Sequence, residues 1–176
     1  MVPESIQSLI LSLNRQGIEA IIGGGLAVNA HGFARLTLDA DLLVRRTDQE
    51  EACRSLEELG FSAEGTTRVA TRFRHKNYVV PFVDLLWTED ETFKVFLEAA
   101  APGPNGLRIL SLPHLIAMKI HAATQDQGRG SKDRDDLKYL LQQNAGKVAR
   151  EDYQKLVERF ARPSRKEELL ALYPVD

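Results

Sequence analysis

GGGLAVNAHGFARLTLDADLLV, Gly23 to Val44, is the stretch that decides the reading of this chain. A glycine run leads into a short helical pattern, and a strand carrying Asp39 and Asp41 follows. Side chains two apart on a strand share a face. The two carboxylates therefore project together, roughly 7 Å apart at their Cα atoms. Parallel carboxylates repel unless a cation lies between them or one is protonated. A hard divalent ion bound through oxygen, magnesium above all, suits such a pair. Glycines at a helix start expose backbone N–H groups that can hold phosphate. A phosphate cradle beside metal-binding carboxylates points to nucleotide chemistry. The competing reading is a solvated acidic strand face. An otherwise apolar strand, the glycine run just upstream and the nearby polar Arg35 and Thr37 weigh against it. The run lacks the Gly-Lys-Ser/Thr of a P-loop and the spacing of a dinucleotide fingerprint.

Outward from this stretch, Ile6, Leu9, Ile10 and Leu13 predict an amphipathic helix over 3–16, stopped by Gly17. Ile18 to Ile22 reads as a short strand and Leu26 to His31 as a short helix. Leu36 to Val44 is the second strand, with the even positions Leu36, Leu38, Ala40 and Leu42 expected to face the core. Thr47 and Glu50 suggest a capping box for a helix ending near Leu59. A hairpin is expected from Thr67–Arg74 and Tyr78–Trp87, turning at His75-Lys76-Asn77, with Pro81 weakening its second strand. Phe93 to Ala100 reads as a helix, Pro102 to Gly106 as a loop, and Leu107 to Leu110 as a strand. Ser111 is the expected cap of the helix around LIAMKIHAA, and Gln125 to Gly130 is a polar loop. Ser131 is the expected cap of KDRDDLKYLLQQ. Helices over about 151–161 and 165–172 close the chain, the last with a Ser164/Glu167 capping box. The order predicts an α/β (α+β) fold, a mixed β-sheet flanked by helices with C-terminal helices.

The 176 residues suit a single domain, divided into a catalytic core over 1–110 and a helical part over 111–176 packed on it. The net charge of −2 excludes a generally basic nucleic-acid binder, so any basic footprint is local. The single cysteine, Cys53, excludes an internal disulfide and reads as a buried structural thiol. No leader and no membrane-spanning run are legible, so the expected location is the cytoplasm. The four histidines show no metal-ligand spacing, although His31 lies close after the glycine helix.

The hydrophobic residue Ile22, the glycines Gly24 and Gly25, and Asp39-Ala40-Asp41 after a short gap resemble the signature of the nucleotidyltransferase superfamily, which includes DNA polymerase beta. The longer GGLAVNAHGFARLTLDADLLV, with LPHLIAMKIHAA and SKDRDDLKYLL, is similar to the small bacterial abortive-infection, type IV toxin-like nucleotidyltransferases. The resemblance spans about residues 5–142. It implies the nucleotidyltransferase fold and transfer of a nucleoside monophosphate from an NTP such as ATP. It also implies a third carboxylate on a neighbouring strand, for which Asp84 in YVVPFVDLLW is the candidate. In that scheme Asp39 and Asp41 hold magnesium at the nucleotide phosphates. Asp84 helps hold a second ion and activates the attacking hydroxyl. The competing reading of Asp84 is an acid paired with a nearby arginine.

Gly24, Gly25, Lys119, Lys132 and Asp133 are the implied nucleotide-binding residues. Lys119 either meets the triphosphate or snorkels to solvent. Lys132 and Asp133 match the family's Lys-Asp pair or form a charged helix start, whereas Asp135 and Asp136 simply suit a helix N-terminus. Gly25 departs from a pattern that often carries serine. Arg68, Arg72 and Arg74 form a basic stripe, either for phosphate or RNA or as a solvent-facing charged edge. The acceptor candidates are an RNA 3′ end, a protein side chain or a small molecule; the toxin-like resemblance favours RNA or protein and implies an antitoxin-like partner protein. The alternative is an inactive nucleotide- or partner-binding module of a two-gene system. A D-x-D glycosyltransferase is disfavoured by the short chain.

Overall fold

The computed structural model describes residues 2–77, 79–125 and 130–174. The chain separates into two compact units, Met1–Ala30 with Arg35–Ser111, and His31–Ala34 with Leu112–Asp176.

In the first unit, helix α1 (Glu4–Arg15) buries the predicted stripe of Ile6, Leu9, Ile10 and Leu13. Strand β1 (Ala20–Ile22) leads into the short helix α2 (Gly24–Ala30). Strand β2 (Asp39–Arg45), helix α3 (Gln49–Glu58) and strands β3 (Phe61–Thr66), β4 (Ala70–His75) and β5 (Phe82–Thr88) follow. Helix α4 (Asp90–Glu98) precedes the two-residue strands β6 (Ala101–Pro102) and β7 (Arg108–Ile109). The sheet is seven-stranded in the order β3-β4-β5-β2-β1-β7-β6. It is mixed: β2 runs parallel to β5 and antiparallel to β1, and β4 is antiparallel to β5. One face is sealed by alternating residues, Ala40, Leu42 and Val44 from β2 with Val83, Leu85 and Trp87 from β5, all buried. The intervening positions point to the other face, where the charged residues lie.

The second unit is helical: α5 (Leu112–Ala123), α6 (Gly130–Gln143), α7 (Arg150–Phe160) and α8 (Lys166–Leu170). Its core draws on Leu115, Ile116 and Ile120 of α5, Leu137, Leu140 and Leu141 of α6, and Tyr153 and Val157 of α7. The buried Tyr153 hydroxyl donates to the Leu169 carbonyl at 2.7 Å, which ties α8 down. Burial pushes that phenol's pKa up, so it stays a neutral donor.

Several expectations are corrected. The second strand begins at Asp39 rather than Leu36, and Leu36 and Leu38 are 83% and 72% exposed. Register pairing with β5 starts at Asp39↔Phe82; the Leu38 carbonyl still accepts from the Phe82 N–H at 3.3 Å, but the Leu36 and Leu38 side chains lie past the paired part of the sheet and stay exposed. Two strands have no counterpart in the sequence pattern: the two-residue β6, and β3, which pairs antiparallel with β4 and is exposed throughout beyond Phe61, so no apolar alternation announces it. Thr47 does not cap α3. A 3₁₀ turn over Arg46–Asp48 intervenes, and the Thr47 hydroxyl donates to Asp90 instead. Ser131 lies inside α6, and the Ser164 box gives way to a 3₁₀ turn with Arg165 at the start of α8. Cys53 is only half-buried. The second hairpin strand, expected from Tyr78, begins at Phe82; Tyr78 itself and residues 126–129 of the expected polar loop lie outside the described residues. No helix among the described residues is long and apolar enough to cross a membrane.

Candidate active site

The site is built by register. Asp41 sits opposite Asp84 in the parallel β2·β5 pair, and Asp84 sits opposite Arg72 in the antiparallel β5·β4 pair. Cross-strand neighbours share a face, so Arg72, Asp84 and Asp41 form a row across three strands. Asp39, two residues before Asp41, joins them on the same face. The row continues to the glycine turn, because the Gly23 N–H donates to the Asp41 carbonyl at 2.8 Å. The sequence-predicted Asp39, Asp41, Asp84, Gly24 and Gly25 thus lie together at the end of β1.

The glycines are dictated by this packing. Gly24 has φ +49°, and a Cβ there would stand 1.6 Å from Asp41 Oδ2. A Cβ at Gly25 would lie 2.6 Å from Thr37 Oγ1 and 3.2 Å from Arg35 Nη2. The space that a serine would use is therefore filled by Thr37 and Arg35. Thr37 in turn donates its hydroxyl to the backbone carbonyl of Asp39 at 3.1 Å and to Asp39 Oδ1 at 3.0 Å. Asn29 fixes the approach by pairing with both backbone groups of Arg35, at 3.0 and 3.1 Å. The Thr37 hydroxyl so holds Asp39 within the row, a role that the sequence suggested only as polarity nearby.

Arg72 is the residue that the sequence misassigned. The sequence places it with Arg68 and Arg74 in one basic stripe, but β4 begins at Ala70, and the stripe is divided. Arg74 Nε pairs with Glu64 Oε1 at 2.5 Å. Arg72 forks Asp84, with Nε donating to Oδ1 at 2.8 Å and Nη2 to Oδ2 at 2.5 Å, and the same Nη2 lies 3.6 Å from Asp39 Oδ2. Hydrogen bonding to Asp84, with the charges of Asp84, Asp39 and Asp41, raises the guanidinium pKa despite its partial burial. The signal available in sequence was the alternation of Arg72 with the buried Thr71 and Phe73, which puts it on the face opposite the core.

The carboxylates suit a divalent cation in chemistry. They are hard oxygen donors on one face, and Gly24 leaves room where any other residue would push into Asp41. One guanidinium among three carboxylates leaves these four side chains together anionic. As arranged, no three His, Cys, Asp or Glu side chains among the described residues converge on one ion position.

In the second unit Lys119 is buried, and its Nζ lies 2.7 Å from both Asp133 Oδ1 and Asp136 Oδ2. It does not snorkel to solvent. Burial opposes the ammonium charge, but Asp133 and Asp136 more than offset it, and the pKa is raised. Asp136, expected merely to suit a helix start, is 1% exposed and part of this triad. Lys132 is exposed.

No protein-family model matches the chain, and no curated protein matches it by sequence. Solved structures do. The antibiotic-resistance factor ANT(2'')-Ia superposes with a TM-score of 0.68 at 17% identity, covering 93% of this chain and 92% of its own. The lincosamide antibiotic adenylyltransferase LnuA, solved with lincomycin bound, gives 0.53 at 15% identity, over 79% of this chain and 98% of its own. The Megavirus polyadenylate synthase gives 0.58 at 15% identity, over 83% of this chain but 31% of its own. The chain has the nucleotidyltransferase fold, the fold of DNA polymerase beta.

Proposed function

We propose that this protein transfers a nucleoside monophosphate from an NTP to a hydroxyl acceptor. The observation that carries the reading is the in-register gathering of Asp39, Asp41 and Asp84 on one sheet face beside the Gly23–Gly24 turn. Asp39, Asp41 and Asp84 would hold the divalent ions, and Gly24 and Gly25 would offer backbone N–H groups to the phosphates. Bound magnesium would neutralise phosphate charge and ease loss of a hydroxyl proton. Lys119, Lys132 and Asp133 are proposed as the nucleotide-binding contribution of the second unit. Lys119 could serve there only by loosening its grip on Asp133 or Asp136, since it holds both.

The acceptor proposed first is an RNA 3′ end or a protein side chain, in a toxin-like activity with a partner protein that restrains it. A second acceptor class has its own support. The match runs over nearly the whole length of an antibiotic-resistance factor and a lincosamide antibiotic adenylyltransferase but under a third of a polyadenylate synthase. That favours a small hydroxylated molecule.

The test is incubation with each α-labelled NTP, magnesium, cellular RNA, cellular protein and a set of hydroxylated small molecules, followed by separation of the three pools. Label that disappears with Asp39→Asn, in a variant with an unchanged melting temperature, is expected and names the acceptor. Absence of label from every pool, with magnesium-dependent NTP binding retained, would replace this reading with a nucleotide-binding module.

A further inference from the structure

Arg72 touches two of the three candidate metal carboxylates at once. Its planar fork matches Asp84 on both oxygens, the geometry that an arginine also offers to phosphate. Its second contact, 3.6 Å to Asp39, spans the gap that a cation would have to fill. The group is not sealed: the side chains of Arg72, Asp39 and Asp84 are 35%, 23% and 14% exposed, so the guanidinium can leave without breaching the core. Phe82, with its ring centre 5.3 Å from the guanidinium carbon, gives it a face to slide across.

We propose that Arg72 is the resident counter-ion of the carboxylate face and competes with the divalent cation, so that cation and nucleotide bind together rather than in either order. The inference deepens the function proposed above and rests on it. Clustered carboxylates need a positive partner, and Arg72 is the one that holds Asp84 and Asp39. While it forks Asp84 and reaches Asp39, no three carboxylates among the described residues converge on one ion position. A triphosphate offers the guanidinium an equivalent set of oxygens, and its arrival frees Asp84 and Asp39. Linkage makes the effect reciprocal: whatever factor the nucleotide adds to cation affinity, the cation adds to nucleotide affinity. In this account Arg72 acts first through Asp84, as its counter-ion, and then on the triphosphate oxygens that replace it.

The experiment is titration of Mn²⁺, with the free ion read by electron paramagnetic resonance, into the wild type, Arg72→Gln and Arg72→Lys, with and without a non-hydrolysable NTP analogue. No turnover is measured. Without nucleotide, Arg72→Gln is expected to bind Mn²⁺ on the order of tenfold more tightly than the wild type, the size of one partly screened charge at this range. The gain that the analogue confers on Mn²⁺ binding should shrink by a similar factor. Arg72→Lys, which keeps the charge but loses the fork, should fall between them, and it serves as the comparison if the Gln variant does not fold. Equal or weaker nucleotide-free Mn²⁺ binding in the folded variant overturns the proposal. So does a wild type that binds Mn²⁺ equally well with and without the analogue. Either result can occur while labelled transfer proceeds, so failure here is separable from failure of the transferase reading.

Discussion

At the scale of single residues, the sharpest constraint is the contact between Gly24 and Asp41. Any side chain at position 24 meets both a left-handed backbone and a carboxylate oxygen. Gly24→Ala should cost about 2–4 kcal/mol, combining overpacking with the φ penalty, measurable by urea unfolding. Removing the obstruction with Asp41→Gly in the same chain should restore the overpacking part and leave transfer activity absent. A double variant no more stable than Gly24→Ala would show that the crowding is not what limits position 24. The glycines and the two β2 acids were legible in sequence because glycine run, spacing and alternation are local properties. Arg72 was legible only in part: alternation gives its face, and a nearby arginine was the competing reading of Asp84, but which arginine lies opposite Asp84 is set by pairing between distant strands, which leaves no mark on either segment. Thr37 was half-legible: its period-two relation to Asp39 was visible, but its place over Gly25 was not.

At the scale of elements, α5 and α6 are joined by a buried Lys119–Asp133–Asp136 triad. Taking away one member of a buried ion cluster is far more costly than replacing the whole cluster with apolar residues. Lys119→Met should therefore destabilise by about 3–5 kcal/mol. Lys119→Met combined with Asp133→Leu and Asp136→Leu should recover most of that loss in chemical unfolding. A single variant within 1 kcal/mol or so of the wild type would mean that the carboxylates find other partners. The pH dependence follows from the raised lysine pKa. The stabilisation is complete below the unfolded-state lysine value of about 10.4 and is lost only as pH climbs through the higher folded value. Stability between pH 6 and 9 should therefore include this contribution in full and show no pH dependence arising from it. The helices themselves were read well, since apolar periodicity fixed α1, α5, α6 and α7 to within a few residues. Their starts were read less well. Thr47 turned to Asp90, and two helices open through 3₁₀ turns, because a hydroxyl's partner is chosen by whatever the fold brings near it.

At the scale of the whole molecule, the decisive fact is that β2 lies inside the sheet, with β5 on one side and β1 on the other, while β3 forms an edge. Native-state hydrogen exchange should rank the Ala40–Val44 amides among the slowest in the chain and those of Ser62–Thr66 among the fast-exchanging ones. Protection of β3 equal to that of β2 would contradict this sheet order. The class of fold was legible because strands and helices alternate in sequence. The order of the strands was not, since β3 carries almost no buried side chain and β2 joins β5 across an intervening helix and hairpin. The pressure of Asp41 on Gly24 also predicts how a library of variants would sort. A screen for protein abundance alone would enrich small residues at position 41, where losing the carboxylate relieves crowding. A screen for turnover would discard those same clones. At the neighbouring Leu42, which is wholly buried, both screens would reject the same substitutions. The two rankings should therefore diverge at one position and agree at the next, separating by selection a residue of the proposed site from a residue kept for folding.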